Sequence, residues 1–100
     1  MFIHAVYFWL TSPESDIDRA ALRVGLQTLR GVNTIDAVSI GTPAPTRRAV
    51  IDHTYDLALM LTFRDQAAHD VYQTHPIHLA FVDDCKHLWS RVQIYDVLTS

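Results

Sequence analysis

Two nine-residue stretches constrain this chain more than anything else in it. Phe2-Ile3-His4-Ala5-Val6-Tyr7-Phe8-Trp9-Leu10 and Tyr55-Asp56-Leu57-Ala58-Leu59-Met60-Leu61-Thr62-Phe63 are rich in β-branched and aromatic residues. A strand with water on one side alternates apolar with polar. These do not. His4, Val6, Phe8 and Leu10 share one face of the first stretch, and Ile3, Ala5, Tyr7 and Trp9 share the other. In the second, Leu57, Leu59, Leu61 and Phe63 oppose Ala58 and Met60. The helices of a small domain cover one face of such a sheet, so the second face needs another account. Either a few apolar side chains stay in water, which proteins tolerate, or a second copy packs sheet to sheet over Tyr7, Trp9 and Met60. Burying a side chain of that size is worth roughly 1.5–3 kcal/mol. Several on each subunit make an obligate homodimer through the sheet face.

The rest of the chain supplies the partners of these strands. Thr11-Ser12-Pro13 reads as a helix start, with Ser12 as cap and Pro13 in the first turn. Leu22, Leu26 and Leu29 recur at helical spacing to about Arg30, and Gly31 is a natural stop. Val32 to Ile40 reads as a second strand, and residues 42–54 as an exposed loop with two prolines and two arginines. After the third strand, Tyr55 to Phe63, Asp65 caps a short helix carrying Ala68, Val71 and Tyr72. His75-Pro76 ends it and opens another, which places His78, Val82, Cys85 and Trp89 on one face. Val92 to Leu98 is the last strand. The order βαββαβ predicts a ferredoxin-like α+β fold: a four-stranded antiparallel sheet, helices on one face, the first strand between the third and the last. One such domain accounts for residues 1–100.

Composition narrows the partners. Eight basic residues are scattered and the formal net charge is -3, so nucleic acid is not expected. Cys85 stands alone, without metal-finger or redox spacing, which favours a reducing, cytoplasmic setting. The apolar opening has no charged segment before it and is too short to span a bilayer, so no membrane partner is expected.

The first and last strands should pair antiparallel. If opposed residue numbers sum to 100, Phe8 faces Val92, Val6 faces Ile94 and His4 faces Asp96, with both members of each pair on one face. A carboxylate beside an imidazole fixes its tautomer and raises its basicity. The His75-Pro76-Ile77-His78 turn adds imidazoles, and Tyr72 precedes it by three residues. His4, Tyr72, His78 and Asp96 are therefore the candidate catalytic residues. His4 would be the base, and His78 or Tyr72 the acid that polarises a carbonyl. Val6, Phe8, Leu59, Leu22 and Val82 are the candidate apolar contacts of a small apolar or carbonyl ligand. The bland reading of the same residues is a hydrogen-bonded core histidine, a core tyrosine and a capping His75. His53, His69 and His87 are expected in solvent, and Cys85 in the core. No HExxH or comparable spacing assigns a metal, although His4, His78 and Asp96 could in principle hold a divalent ion. No Gly-rich phosphate loop or nucleophile signature is present.

These segments together resemble the stress-responsive A/B barrel (Dabb) family. The opening Ile3-His4-Ala5-Val6-Tyr7-Phe8, the strand Tyr55–Phe63, the segment Tyr72-Gln73-Thr74-His75-Pro76-Ile77-His78 and the ending Val92-Gln93-Ile94-Tyr95-Asp96 occur in the family's order and cover essentially the whole chain. The resemblance implies a dimeric α+β barrel with a pocket in each subunit between sheet and helices, and small-molecule binding in stress response. It also implies, as an alternative, the activity of a plant polyketide cyclase of that family. That enzyme performs an aldol closure without a cofactor, and its working residues correspond to His4, Tyr72 and His78. Where it has pocket aromatics on the first helix, this chain has Ala21, Leu22 and Gly25. Cofactor-free monooxygenases share the architecture and form a second alternative, but the His-Pro-x-His turn fits Dabb better.

Overall fold

The computed structural model describes residues 1–100. Strand β1 (Phe2–Leu10) leads through a turn to helix α1 (Asp16–Thr28) and a 3-10 turn over Leu29–Gly31. Strands β2 (Ala37–Gly41) and β3 (Leu57–Phe63) follow, then helices α2 (Gln66–Gln73) and α3 (Pro76–Cys85), a second 3-10 turn, and strand β4 (Trp89–Leu98). The sheet order is β2-β3-β1-β4, with every neighbouring pair antiparallel. This is the ferredoxin-like α+β fold, with β1 in the middle of the sheet.

The boundaries differ from the sequence reading where local chemistry competes. Helix α1 begins one turn later than Ser12-Pro13 suggests, because Ser15 is the cap and its hydroxyl accepts from the Asp18 amide. Asp16 and Asp18 then sit in the first turn, where the helix dipole favours them. Strand β2 is shorter than Val32–Ile40. Val32 is buried beneath the 3-10 turn, its amide bonded to the Leu29 carbonyl, and pairing starts at Ala37. Strand β3 starts at Leu57 rather than Tyr55, and Trp89 opens β4 instead of continuing the α3 face.

The two faces of the sheet have separate fates. On the helix side, Phe2, Val6, Phe8, Leu10, Leu57, Leu59, Leu61 and Phe63 join Leu22, Leu26 and Leu29 in one core. The other side stays in contact with solvent in a single chain. Tyr7 packs edge-on against Tyr55 and Tyr95, and the Arg91 guanidinium stacks 4.0 Å from the Trp9 ring centre. Met60, Tyr95 and Val97 are exposed there. The end of the long loop folds back onto this side, where Thr54 accepts a hydrogen bond from the Trp9 indole.

Gly25 lies where α1 crosses α3. A Cβ built on it would stand 2.4 Å from Cys85 Sγ and 3.2 Å from the Phe81 ring, so its purpose is close packing. We expect Gly25→Ala to destabilise by roughly 1 kcal/mol, because overpacking of about 1–3 kcal/mol exceeds the ~1 kcal/mol that alanine gains in a helix. Adding Cys85→Ala should recover part of that loss. Urea denaturation of both single variants and the pair would test this, and strictly additive effects would contradict it.

Candidate functional site

The register of β1 on β4 puts His4 opposite Asp96, with Val6 opposite Ile94 and Phe8 opposite Val92, as the sum-to-100 pairing expects. His4 is 3% exposed, and its Nδ1 lies 2.5 Å from Asp96 Oδ1. An ionised carboxylate only accepts, so Nδ1 carries the proton and donates it. Nε2 then holds the lone pair. Burial pulls the His4 pKa down more strongly than the Asp96 hydrogen bond and charge raise it. The imidazole is thus neutral near pH 7 and presents a basic nitrogen.

Tyr72 and His78 reach the same place from the two short helices. His75 caps α3 by accepting the Ile77 amide on Nδ1, and Pro76 occupies the first helical position. The chain therefore turns between α2 and α3, and the Tyr72 and His78 rings meet at 4.4 Å between centres. The Tyr72 and His4 rings are 5.8 Å apart. His78 Nδ1 donates to the Gln73 carbonyl at 3.0 Å, which again leaves Nε2 as the free nitrogen. Burial, as the largest cause, lowers the His78 pKa. Burial pushes the Tyr72 phenol far above its ordinary value, so it stays a hydrogen-bond donor. Its hydroxyl has no partner in the protein, yet the one buried side-chain oxygen both sealed and unpartnered is that of Thr34. The phenol oxygen therefore keeps some accessible surface.

A cavity of about 260 Å³ lies between sheet and helices. His4, Tyr72 and His78 line it, together with Val6, Phe8, Leu59 and Val82. Asp96 stands behind His4 rather than in the wall. Leu22, expected at the ligand, is not there. It is fully buried in the core under α1, because α1 packs on α3 through Gly25 and never reaches the cavity. Phe81 and Trp89, which the sequence reading did not assign, close the end away from the histidines together with Phe8.

His69 also departs from expectation. It is 7% exposed, not in solvent, and its ring stacks on Phe2 and lies 5.0 Å from His4. The inward face of α2 is His69 and Tyr72, while Val71 is half exposed. The spacing of three between His69 and Tyr72 was the available signal. His53 and His87 are exposed, and Cys85 is a buried free thiol.

The surface has a larger depression, a groove of about 850 Å³ between α1 and α3. Its wall is mainly apolar, and no pair of acid and base groups makes contact within it. The clustered histidines and tyrosine line the smaller cavity.

The fold and the site define a ferredoxin-like α+β protein with histidines in a cavity between sheet and helices. The chain belongs to the stress-responsive A/B barrel domain family, whose model matches residues 2–98. Among solved structures it resembles a Dabb family protein with a ferredoxin-like fold from Mesorhizobium loti. That protein is 23% identical with a TM-score of 0.81, and the match covers 99% of this chain and 96% of that one. A hydroxynitrile lyase from Passiflora edulis is 17% identical with a TM-score of 0.79, covering 99% and 93%. A dimeric ferredoxin-like protein of unknown function from Thermobifida fusca is 15% identical with a TM-score of 0.77, covering 98% and 90%. No curated protein matches the chain in sequence. No helix is long and apolar enough to cross a membrane.

The lowered histidines give stability a definite pH dependence. Both start from 6.5 in the unfolded chain and titrate lower when folded. Below about pH 6.5 the unfolded chain binds more protons, so their contribution is complete above that pH and is lost as pH falls through the folded values. We expect the urea midpoint to drop between about pH 7.5 and pH 5, and His78→Gln to flatten the slope. A midpoint indifferent to pH over this range would contradict the burial described.

Proposed function

We propose that the cavity binds a small carbonyl compound and moves a proton on it without a cofactor. The observation that carries this is the His4–Asp96 pair, with His4 in the wall of a cavity that Tyr72 and His78 also line. In this reading His4 Nε2 removes a proton from the carbon next to the carbonyl. The C–H electron pair moves into an enolate, and Asp96 stabilises the imidazolium that forms. The Tyr72 hydroxyl donates to the enolate oxygen. The proton now on His4 Nε2 returns to carbon directly, or passes first to the free Nε2 of His78, which then delivers it. The enolate is then ready to be reprotonated, as in an isomerase, or to attack a second carbonyl, as in an aldol cyclase. A volume of about 260 Å³ lies just below the usual range for ligand pockets, which begins at about 300 Å³. It suits a single ring or a short chain.

The assay needs no knowledge of the natural substrate. Small ketones and aldehydes are incubated with the protein in D2O, and exchange at the carbon beside the carbonyl is followed by NMR. The wild type should accelerate exchange for those that fit. His4→Ala and Asp96→Asn should each reduce it by roughly a hundredfold or more, and Tyr72→Phe by less. If compounds bind but none exchanges faster than in buffer, the catalytic reading fails. A second reading, a ligand-binding protein of stress response, then takes its place, with His78→Ala altering affinity alone.

The exposed aromatic face of the sheet supports a homodimer joined sheet to sheet. The Thermobifida fusca protein of the same fold is a dimer. The buried free thiol of Cys85 supports a reducing, cytoplasmic setting. Sedimentation should give two chains per particle, and Met60→Glu should give one, because a carboxylate cannot be buried there unpaired. A dimer that tolerates Met60→Glu would place the interface elsewhere.

A further inference from the structure

His69 is a buried imidazole that the proton-transfer scheme does not use. We propose that His4, His69 and Asp96 form a binding site for a divalent transition-metal ion, which competes with the small-molecule ligand for His4. A ligating atom from each of the three residues lies within 4.8 Å of the others. They come from β1, α2 and β4, so the tertiary fold alone brings them together.

The donor set selects the ion. Two imidazoles and a carboxylate suit zinc, cobalt, nickel or iron(II) and are poor for magnesium or calcium, which take oxygen ligands. The surroundings prepare His69 for the task. Its Nδ1 lies 3.1 Å from Asp70 Oδ1 and donates to it, so Nε2 carries the lone pair. That lone pair is met by the Gln73 amide nitrogen at 2.9 Å, a hydrogen bond that an ion replaces. A carboxylate behind a ligating imidazole is the usual outer support of a metal site.

Rigidity and access are divided among the three. Stacking on Phe2 at 4.3 Å holds His69, and strand neighbours on both sides hold His4. The Asp96 side chain is 41% exposed and provides both the entry and the movable ligand. Ion–ligand distances of about 2.0–2.2 Å require donor atoms roughly 3–3.5 Å apart. An ion between His4 Nδ1 and Asp96 Oδ1 therefore takes the place of the proton that Nδ1 donates, which passes through solvent to Nε2 of the same ring, and the two atoms move apart from 2.5 Å to admit it. Asp96, partly exposed on the edge strand β4, is the member that moves. His78, which the sequence reading placed in such a set, is left out. It stands on Tyr72 and is not one of the clustered donors, whereas His69 lies against His4 itself.

The proposal shares His4 and Asp96 with the proton-transfer reading, so its test reads metal binding with no substrate present. Chelator-treated protein near neutral pH is titrated with Co²⁺ alone and followed by calorimetry and by visible absorption. One ion per chain is expected. His69→Gln and Asp96→Asn should each weaken binding by about tenfold to a hundredfold. His78→Gln and the surface pair His53→Gln/His87→Gln should leave it within about twofold. Because His69→Gln perturbs a buried position, NMR of the wild type gives an independent measure: Co²⁺ should broaden the ring protons of His4 and His69 before those of His53 and His87. The idea is overturned by absent Co²⁺ uptake, by unchanged affinity in a folded His69→Gln variant, or by affinity and broadening that follow His53 and His87. None of those results alters the deuterium-exchange outcome, so the two readings fail separately.

Discussion

The pairing of β1 with β4 is the constraint on which the rest depends. His4 meets Asp96 in one register. A slip of one residue would turn His4 to the outer face of the sheet and Tyr7 into the core. Several bonds hold the register. Thr99 donates its amide to the Met1 carbonyl at one end, and Thr11 donates to the Leu88 carbonyl at the other. The irregularity between Trp9 and Leu10 lets Leu10 pair with Trp89 without disturbing the residues before it. On its other side, β1 is fixed by β3 along its length. The Asp56 carboxylate ties the loop before β3 to the Leu10 amide and pairs with Arg19 on α1.

Within this frame, burial sets the protonation states that acid–base chemistry needs. A low-dielectric surrounding disfavours charge on either kind of group. It keeps the imidazoles of His4 and His78 neutral, with a lone pair available, and keeps the Tyr72 phenol protonated, with a hydrogen available. Bases and acid thus coexist a few ångströms apart in their useful forms. Asp96 adds direction, since its hydrogen bond to Nδ1 decides which nitrogen of His4 remains free. Water reaches this carboxylate, so the pair avoids a full desolvation cost.

Much of this was legible in the sequence, and the reasons are specific. The two apolar strands marked the centre of the sheet, where β3 and β1 lie between β2 and β4. The His4–Asp96 juxtaposition followed from antiparallel geometry once a register was assumed. Asp65 and His75-Pro76 marked helix starts by their capping chemistry, which acts over three residues and needs no tertiary information. Ser12-Pro13 misled because Ser15 offered an equally good cap closer to the apolar periodicity. His69 was hidden because hydropathy ranks Val71 as the inward residue of α2. The tertiary contact with Phe2 and His4 overrides that ranking. Leu22 was misplaced for a related reason. Periodicity shows which face of α1 is buried, but not whether that face meets a ligand or the core.

The break in the helical connection explains why a cavity exists at all. In an unbroken α-helix, residues six apart are about 9 Å apart along the axis and point in directions about 120° apart. Tyr72 and His78 would then not share a wall. Pro76 prevents that continuation, since it has no amide to donate and its ring opposes the carbonyl four residues before. His75 takes over the Ile77 amide that the break leaves without a partner. The Gln73 carbonyl, freed at the end of α2, accepts His78 Nδ1. One orphaned backbone group is thereby satisfied by the side chain it orients. The polar groups released by ending one helix are the groups that fix the second histidine, so the site's order and the helix's interruption have a single cause.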